Sequence, residues 1–167
     1  NDICCPQLRA IDGVNPMDES FVYARSAGIT CVCTGPGSAN VLGGTFTAIK
    51  TAGTRIDDMI VKKEAAMKCA FGENPKRCYA SKCDSSRMTT AAILREALMK
   101  ARLYLQKKEA AGDDVFRQPA FDMKLEALIP VLRGQIPLKA HAHRADDIFT
   151  AIRIADEFGV RLTLEHT

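Results

Sequence analysis

The most regular pattern of apolar and polar positions lies in the last third of the chain, where it predicts two strands and a helix. Residues 136–142 and 160–164 are short apolar runs of strand length, and residues 145–158 carry apolar side chains at helical spacing. Gly159 follows the helical segment as a stop signal. A strand, a crossover helix and a strand within about 30 residues form a βαβ unit, whose two strands are parallel. The pattern therefore predicts an α/β fold.

Upstream, the same reasoning predicts further helices and strands. A long helix is expected over residues 88–111, which lack proline and glycine and contain many helix-forming residues. Shorter helices are expected over residues 17–27 and 122–133, and Pro130 kinks or shortens the second. Strands are expected at residues 29–33, 56–61 and 66–71, whereas residues 47–50 are ambiguous.

The composition is that of an ordinary globular domain, with 47% hydrophobic and 26% charged residues in a chain of 167. We expect residues 1–167 to form a single domain. The net charge of +3 arises from 23 basic and 20 acidic side chains without a dense basic run. Charges scattered in this way do not form the dense basic surface that binds a phosphate backbone, so no nucleic-acid partner is expected.

Three features predict a cytoplasmic protein. No apolar stretch approaches the roughly 20 residues that cross a bilayer, so no membrane partner is expected. Residues 1–6 lack the basic-then-apolar order of a signal peptide. The seven cysteines are an odd number and several lie in apolar runs, so we expect most of them to be reduced and buried.

All three histidines, His141, His143 and His166, follow the two predicted parallel strands of the βαβ unit. In parallel α/β proteins, ligands and catalytic groups lie at the carboxyl ends of the strands. His141 and His166 occupy equivalent positions on consecutive strands, so their imidazoles are expected to converge on one metal ion. The alternative is that each is an ordinary polar residue at a strand end.

These histidines belong to two longer segments, Pro137-Leu-Lys-Ala-His141-Ala-His143-Arg144-Ala-Asp-Asp147-Ile and Leu164-Glu165-His166. Both segments resemble strands five and six of the amidohydrolase superfamily, in its imidazolonepropionase-like branch. The loop Thr34-Gly-Pro-Gly-Ser-Ala-Asn40 and the segment Phe71-Gly-Glu-Asn-Pro-Lys-Arg77 also resemble that branch. The resemblance thus spans nearly the whole chain.

The resemblance implies a (β/α)8 TIM barrel that holds one or two divalent metal ions, with zinc as the expected ion. It places His141 and His166 as ligands after strands five and six, and Glu73 as a bridging carboxylate after strand three. A zinc-class ion lowers the pKa of bound water from about 15.7 to about 7, so that water attacks an amide, cyclic amide or imine carbon. The implied reaction is hydrolysis of a C–N bond in a small-molecule substrate. For Glu73, a loop glutamate beside Asn74 is an equally good interpretation.

Substrate contacts are expected from two places at the same rim. One is the pair His143 and Arg144, where His143 either touches substrate, supports the ligands or is a solvent-facing loop residue. The other is the glycine-rich loop with Gly37, Ser38 and Asn40, expected over the mouth of the site. Plain turn chemistry is the alternative for this loop.

Several parts of the implied active site are missing. The family's His-x-His after strand one and its catalytic aspartate after strand eight are not found, so no catalytic residue is assigned. No strand-four lysine for carbamylation can be placed, because residues 83–136 read mostly as helix. A complete barrel takes about 250 residues. Since the sequence also starts at Asn1 without a methionine and stops at Thr167 after an apolar run, we expect an internal fragment that lacks the first and last strands.

Two consequences follow for the behaviour of such a fragment. It is expected to be inactive alone, and its exposed sheet edges are expected to favour a homo-oligomer. The competing interpretation is a non-catalytic α/β binding or assembly module, in which the histidines have only a structural role at strand ends.

Overall fold

The computed structural model describes residues 2–83 and 85–167, so the start of the chain at Asn1 lies outside the described residues. The strands are β1 (Cys31–Thr34), β2 (Leu42–Lys50), β3 (Ile60–Ala70), β4 (Leu138–His141) and β5 (Leu162–Glu165). The helices are α1 (Glu19–Ser26), α2 (Ile56–Met59), α3 (Glu73–Tyr79), α4 (Arg87–Ala111), α5 (Met123–Glu126), α6 (Ile129–Leu132) and α7 (Ala145–Phe158). A short 3-10 turn covers Ala10–Asp12.

The five strands form one mixed sheet in chain order, curled like half of a barrel. β3, β4 and β5 are parallel, as expected, but β1 and β2 are antiparallel to their neighbours. The (β/α)8 barrel that the resemblance implies has parallel strands joined by crossover helices, and this expectation is wrong for the first half of the sheet. Short connections, residues 35–41 and 51–59, join β1 to β2 and β2 to β3, and connections of this kind return the chain antiparallel.

The βαβ unit of the C-terminal part is confirmed. β4 and β5 are parallel neighbours, and α7 connects them over the predicted residues. Gly159 ends α7 in the left-handed conformation, with φ 62° and ψ 31°. The long helix α4 is confirmed as well, and the Ser86 side chain caps its first turn by accepting from the Thr89 amide.

Three local expectations need correction. Residues 56–61 do not form a strand: they form α2 and the start of β3, because Asp57 and Asp58 lie in the first turn of a helix, where carboxylates are favourable. Residues 122–133 divide into α5 and α6, with Pro130 in the first turn of α6. The ambiguous residues 47–50 belong to β2.

The cysteines are free, but most are not buried. Only Cys69 is fully buried, because it points from β3 into the helix layer. Four of the others are exposed, namely Cys31, Cys33, Cys78 and Cys83.

Alternation along the parallel strands separates an apolar face from a polar one. Met67, Cys69, Leu138 and Ala140 are buried and pack in one core with residues of α4 and α7. The positions between them place lysine, histidine and glutamate side chains on the opposite face, away from α4 and α7. No helix of the described ranges is both long and apolar enough to cross a bilayer.

Candidate metal centre

The three histidines form a cluster at the carboxyl ends of β4 and β5. The ring centroids of His141 and His166 are 5.2 Å apart, and those of His141 and His143 are 4.6 Å apart. His143 and His166 are 6.5 Å apart. The rings of His141 and His166 thus lie close together, and their convergence on one metal ion stays a prediction.

The two strand ends are not equivalent, however. His141 pairs in register with Glu165, so His166 lies one residue further along its strand. In an extended strand, this offset would turn the two side chains to opposite faces. His166 instead has a positive φ of 59°, which interrupts the alternation just after β5.

His141 is the buried member of the cluster, with 4% of its surface exposed. Its Nε2 lies 3.0 Å from the Asn74 side-chain Nδ2, and its Nδ1 is buried without a hydrogen-bond partner. Burial lowers the pKa of His141 to about 4, and the nearby positive charge of Lys68 adds to the shift. The ring is therefore neutral near pH 7, which is the form that binds metal ions.

A buried ion-pair cluster lies beside the histidines on the same face of the sheet. Lys68 of β3, with 1% of its surface exposed, pairs with Glu165 of β5. Lys139 of β4 also pairs with Glu165, at 3.2 Å. The ring of Phe46 lies 5.9 Å from the Lys68 ammonium and 5.6 Å from that of Lys139. Burial lowers the pKa of Lys68 to about 8, although its ion pair favours the charged form.

Sequence reasoning missed Lys68. Residues 83–136 offer no strand-four lysine, but the strand that precedes β4 in the parallel part of the sheet is β3, and Lys68 lies on it. The signal was present as a single charged residue within the apolar run Ala65-Ala-Met-Lys68-Cys-Ala-Phe71. A charge at such a position is rarely buried unless it is paired.

Glu73, the predicted bridging carboxylate, does not contact the histidines. It is the first residue of α3, and its exposed carboxylate accepts a hydrogen bond from Arg87 at 2.8 Å. This bond, with the charge of Lys76, lowers the pKa of Glu73. The next residue, Asn74, is the one that reaches His141.

The predicted substrate-binding residues lie at the same rim but are not gathered around one point. The loop 35–41 joins β2 where Leu42 pairs with Cys69, which is the carboxyl end of β3. Asn40 donates to the Asp2 carbonyl at 2.8 Å and to the Tyr79 hydroxyl at 2.9 Å. Gly37 is exposed and Ser38 half-buried, and the exposed Arg144 pairs with Asp146. Of these residues, only His143 has a contact with the other histidines.

The donor chemistry fits a zinc-class ion, since imidazole nitrogens suit borderline metals and Nδ1 of His141 has no other partner. The number of donors is smaller than in a complete site. Within residues 2–83 and 85–167, no group of three or more His, Cys, Asp or Glu side chains is placed to hold a metal ion. A catalytic zinc has three protein ligands. The residues present therefore fit part of a coordination sphere.

Comparison with known proteins gives two relatives, and both are described as amidohydrolases. The chain is 30% identical over 179 residues to "Amidohydrolase tasK" of Hapsidospora irregularis, covering 95% of this chain and 18% of that protein. A crystal structure of an amidohydrolase from Thermotoga maritima MSB8 matches with a TM-score of 0.95 and 45% identity. That match covers 99% of this chain and 44% of the other. No protein-family profile matches the chain.

Proposed function

Because its similarity to two amidohydrolases over nearly its whole length supports an amidohydrolase family for this chain, we propose that it is the core of a metal-dependent hydrolase. The reaction is hydrolysis of a C–N bond, in an amide, a cyclic amide or an imine, of a small metabolite. The proposal includes a (β/α)8 barrel and the imidazolonepropionase-like branch. The observation that carries it is the 5.2 Å separation of the rings of His141 and His166 at neighbouring parallel strand ends.

His141 and His166 would hold the metal ion, and zinc is the ion that their chemistry suits best. When bound, such an ion supplies a Lewis acid that polarises the carbon under attack and lowers the pKa of water to about 7. Burial keeps the imidazole of His141 neutral and ready to bind. Glu73 can take the bridging position only if its carboxylate leaves Arg87.

Lys68 is a further candidate for the metal centre. It lies on the strand next to that of His141, two residues before the end of β3 and on the same face as His141. Burial favours the neutral amine of Lys68, and a neutral amine can add carbon dioxide. The addition releases one proton and leaves a carbamate, whose oxygens resemble those of a carboxylate ligand. Lys68 would then fill the role of the carbamylated lysine, which could not be placed from sequence alone.

The remaining residues would bind substrate rather than perform chemistry. His143 lies next to the ring of His141, and Arg144 follows it at the exposed rim. The loop with Gly37, Ser38 and Asn40 ends at the same rim. The chain spans 18% and 44% of the two amidohydrolases, so the activity proposed here is that of a whole enzyme, and we expect none from residues 1–167 alone.

Isothermal titration with zinc and with manganese tests the proposal. The wild-type chain is expected to bind, and the His141→Ala, His166→Ala double variant is expected to lose that binding, because both converging nitrogens are removed. Arg161→Ala serves as the matched control, since Arg161 precedes β5 on the exposed surface and its side chain donates a hydrogen bond to the Gln135 carbonyl, away from the histidines. Absence of binding by the wild type, or equal binding by the double variant, would leave the non-catalytic module as the better interpretation.

A further inference from the structure

The side chain of Asn74 holds a position beside the metal centre that the proposed reaction does not use. Asn74 is the second residue of α3, and its amide lies 3.0 Å from Nε2 of His141. It is the only side chain in the described ranges with a recorded hydrogen bond to that ring. The other ring nitrogen, Nδ1, is buried and has no partner.

The two nitrogens of a neutral imidazole have different roles, because one carries the proton and the other carries a lone pair. In the structure, the amide nitrogen of Asn74 faces Nε2, so Nε2 accepts and the proton lies on Nδ1. That arrangement buries an N–H group without an acceptor, which is destabilising. Rotation of the amide by half a turn reverses the roles: Oδ1 accepts from Nε2–H, and Nδ1 has a free lone pair.

The first turn of α3 is held firmly enough to aim this amide. Arg87 at the start of α4 donates to Glu73 at 2.8 Å and to Asp147 at the start of α7 at 3.0 Å. Gly72, with φ 78°, lies against the Asp147 side chain: a Cβ added at this glycine would be 2.7 Å from a carboxylate oxygen of Asp147. Three helix starts thus meet at the carboxyl ends of β3 and β4. Asn74 projects from this fixed turn rather than from a free loop.

We propose that Asn74 is a positioning residue for His141, and that its side-chain oxygen accepts from Nε2–H so that Nδ1 binds the cation. This inference rests on the proposed function, since it concerns the same centre. A hydrogen-bond acceptor on the far nitrogen of a ligating histidine fixes the tautomer and the ring orientation, and losing one weakens metal binding about 10- to 100-fold.

Two variants of Asn74 show whether its side chain accepts a hydrogen bond from the His141 ring or donates one to it. Asn74→Asp offers only acceptor oxygens, whereas Asn74→Leu has a similar shape and offers neither group. The proposal expects zinc binding by Asn74→Asp within about threefold of wild type or tighter, and binding by Asn74→Leu weaker by about 10- to 100-fold. Weak binding by both variants would show that the amide acts as a donor and would overturn the proposal. Arg77→Ala, a change of an exposed side chain on the same helix, is the matched control and is expected to bind zinc as wild type does.

Nitrogen-15 NMR of the His141 ring gives a readout that does not depend on affinity. The expected result is a proton on Nε2 in Asn74→Asp, with or without zinc, and in the wild type with zinc bound. A proton on Nδ1 in Asn74→Asp would overturn the proposal. If the wild type binds no zinc, the proposed function fails, while the ring tautomer of Asn74→Asp still reports on the role of Asn74. Thermal unfolding of each variant checks that it is folded.

Discussion

His141 and Lys68 are buried side chains on neighbouring strands, and burial disfavours the charged form of each. The two respond differently. His141 has no carboxylate partner and stays neutral, whereas Lys68 faces Glu165. The neutral imidazole has a lone pair that can bind a cation, and the pairing of Lys68 with Glu165 offsets the positive charge beside it.

The lowered pKa of His141 makes stability depend on pH. The folded value of about 4 lies below the ordinary value of 6.5, so the unfolded chain binds the proton more readily between these limits. The stabilising contribution is therefore complete above about pH 6.5 and is lost as the pH falls towards 4. We expect the free energy of unfolding, measured in urea, to fall by on the order of 2 kcal/mol across that window.

His141→Gln is the control for this measurement, because glutamine does not titrate. Its free energy of unfolding should fall less steeply over the same window. Equal slopes for the two proteins would assign the pH dependence to other groups.

Among individual residues of the candidate site, some could be predicted from the sequence and others could not. The grouping of His141 and His166 followed from their places after two predicted strands, which is a local signal. Lys68 and Asn74 could not be found in that way, because their roles depend on which strand is next to β4 and on where α3 begins. Both facts come from contacts between segments that are far apart in the sequence.

The unit β4–α7–β5 carries the histidines and sets the distance between them. Its bounds were predictable because each signal is local: an apolar period, a stop glycine and short flanking strands. The direction of β1 and β2 was not predictable from their own residues. An apolar run indicates a strand, but the pairing depends on the length of the connections and on the partner. The start of β3 was misread for a similar reason, since Ile56 and Val61 favour a strand while Asp57 and Asp58 begin a helix.

A change at the end of α7 tests how far this unit depends on its glycine. Gly159→Ala puts a Cβ on a residue with φ 62° and ψ 31°, and the left-handed conformation costs a residue with a side chain about 1–2 kcal/mol. We expect the free energy of unfolding in urea to fall by about that amount. Gly37→Ala is the matched control, because its φ is not in the left-handed region and an added Cβ meets no atom within 4 Å. Similar losses for the two variants would contradict the assignment.

The five strands form a mixed sheet that ends at β1 and β5, with α4 and α7 packed on one face of its parallel part and a polar face opposite them. Exposed aromatic side chains also occur in the described residues, among them Phe116 and Phe121. Both features agree with the expectation of a homo-oligomer, which stays a prediction. The histidines, the buried lysine and the glycine-rich loop all lie towards the same polar face or its carboxyl rim, so the fold gathers at one place the groups on which the proposed function rests.

The most direct test of this account is a crystal of the chain soaked in a zinc salt, with diffraction recorded at the zinc absorption edge. The account predicts an anomalous peak about 2.0–2.1 Å from one nitrogen of His141 and one nitrogen of His166. A peak only at the exposed cysteines, or no peak near these two rings, would contradict it.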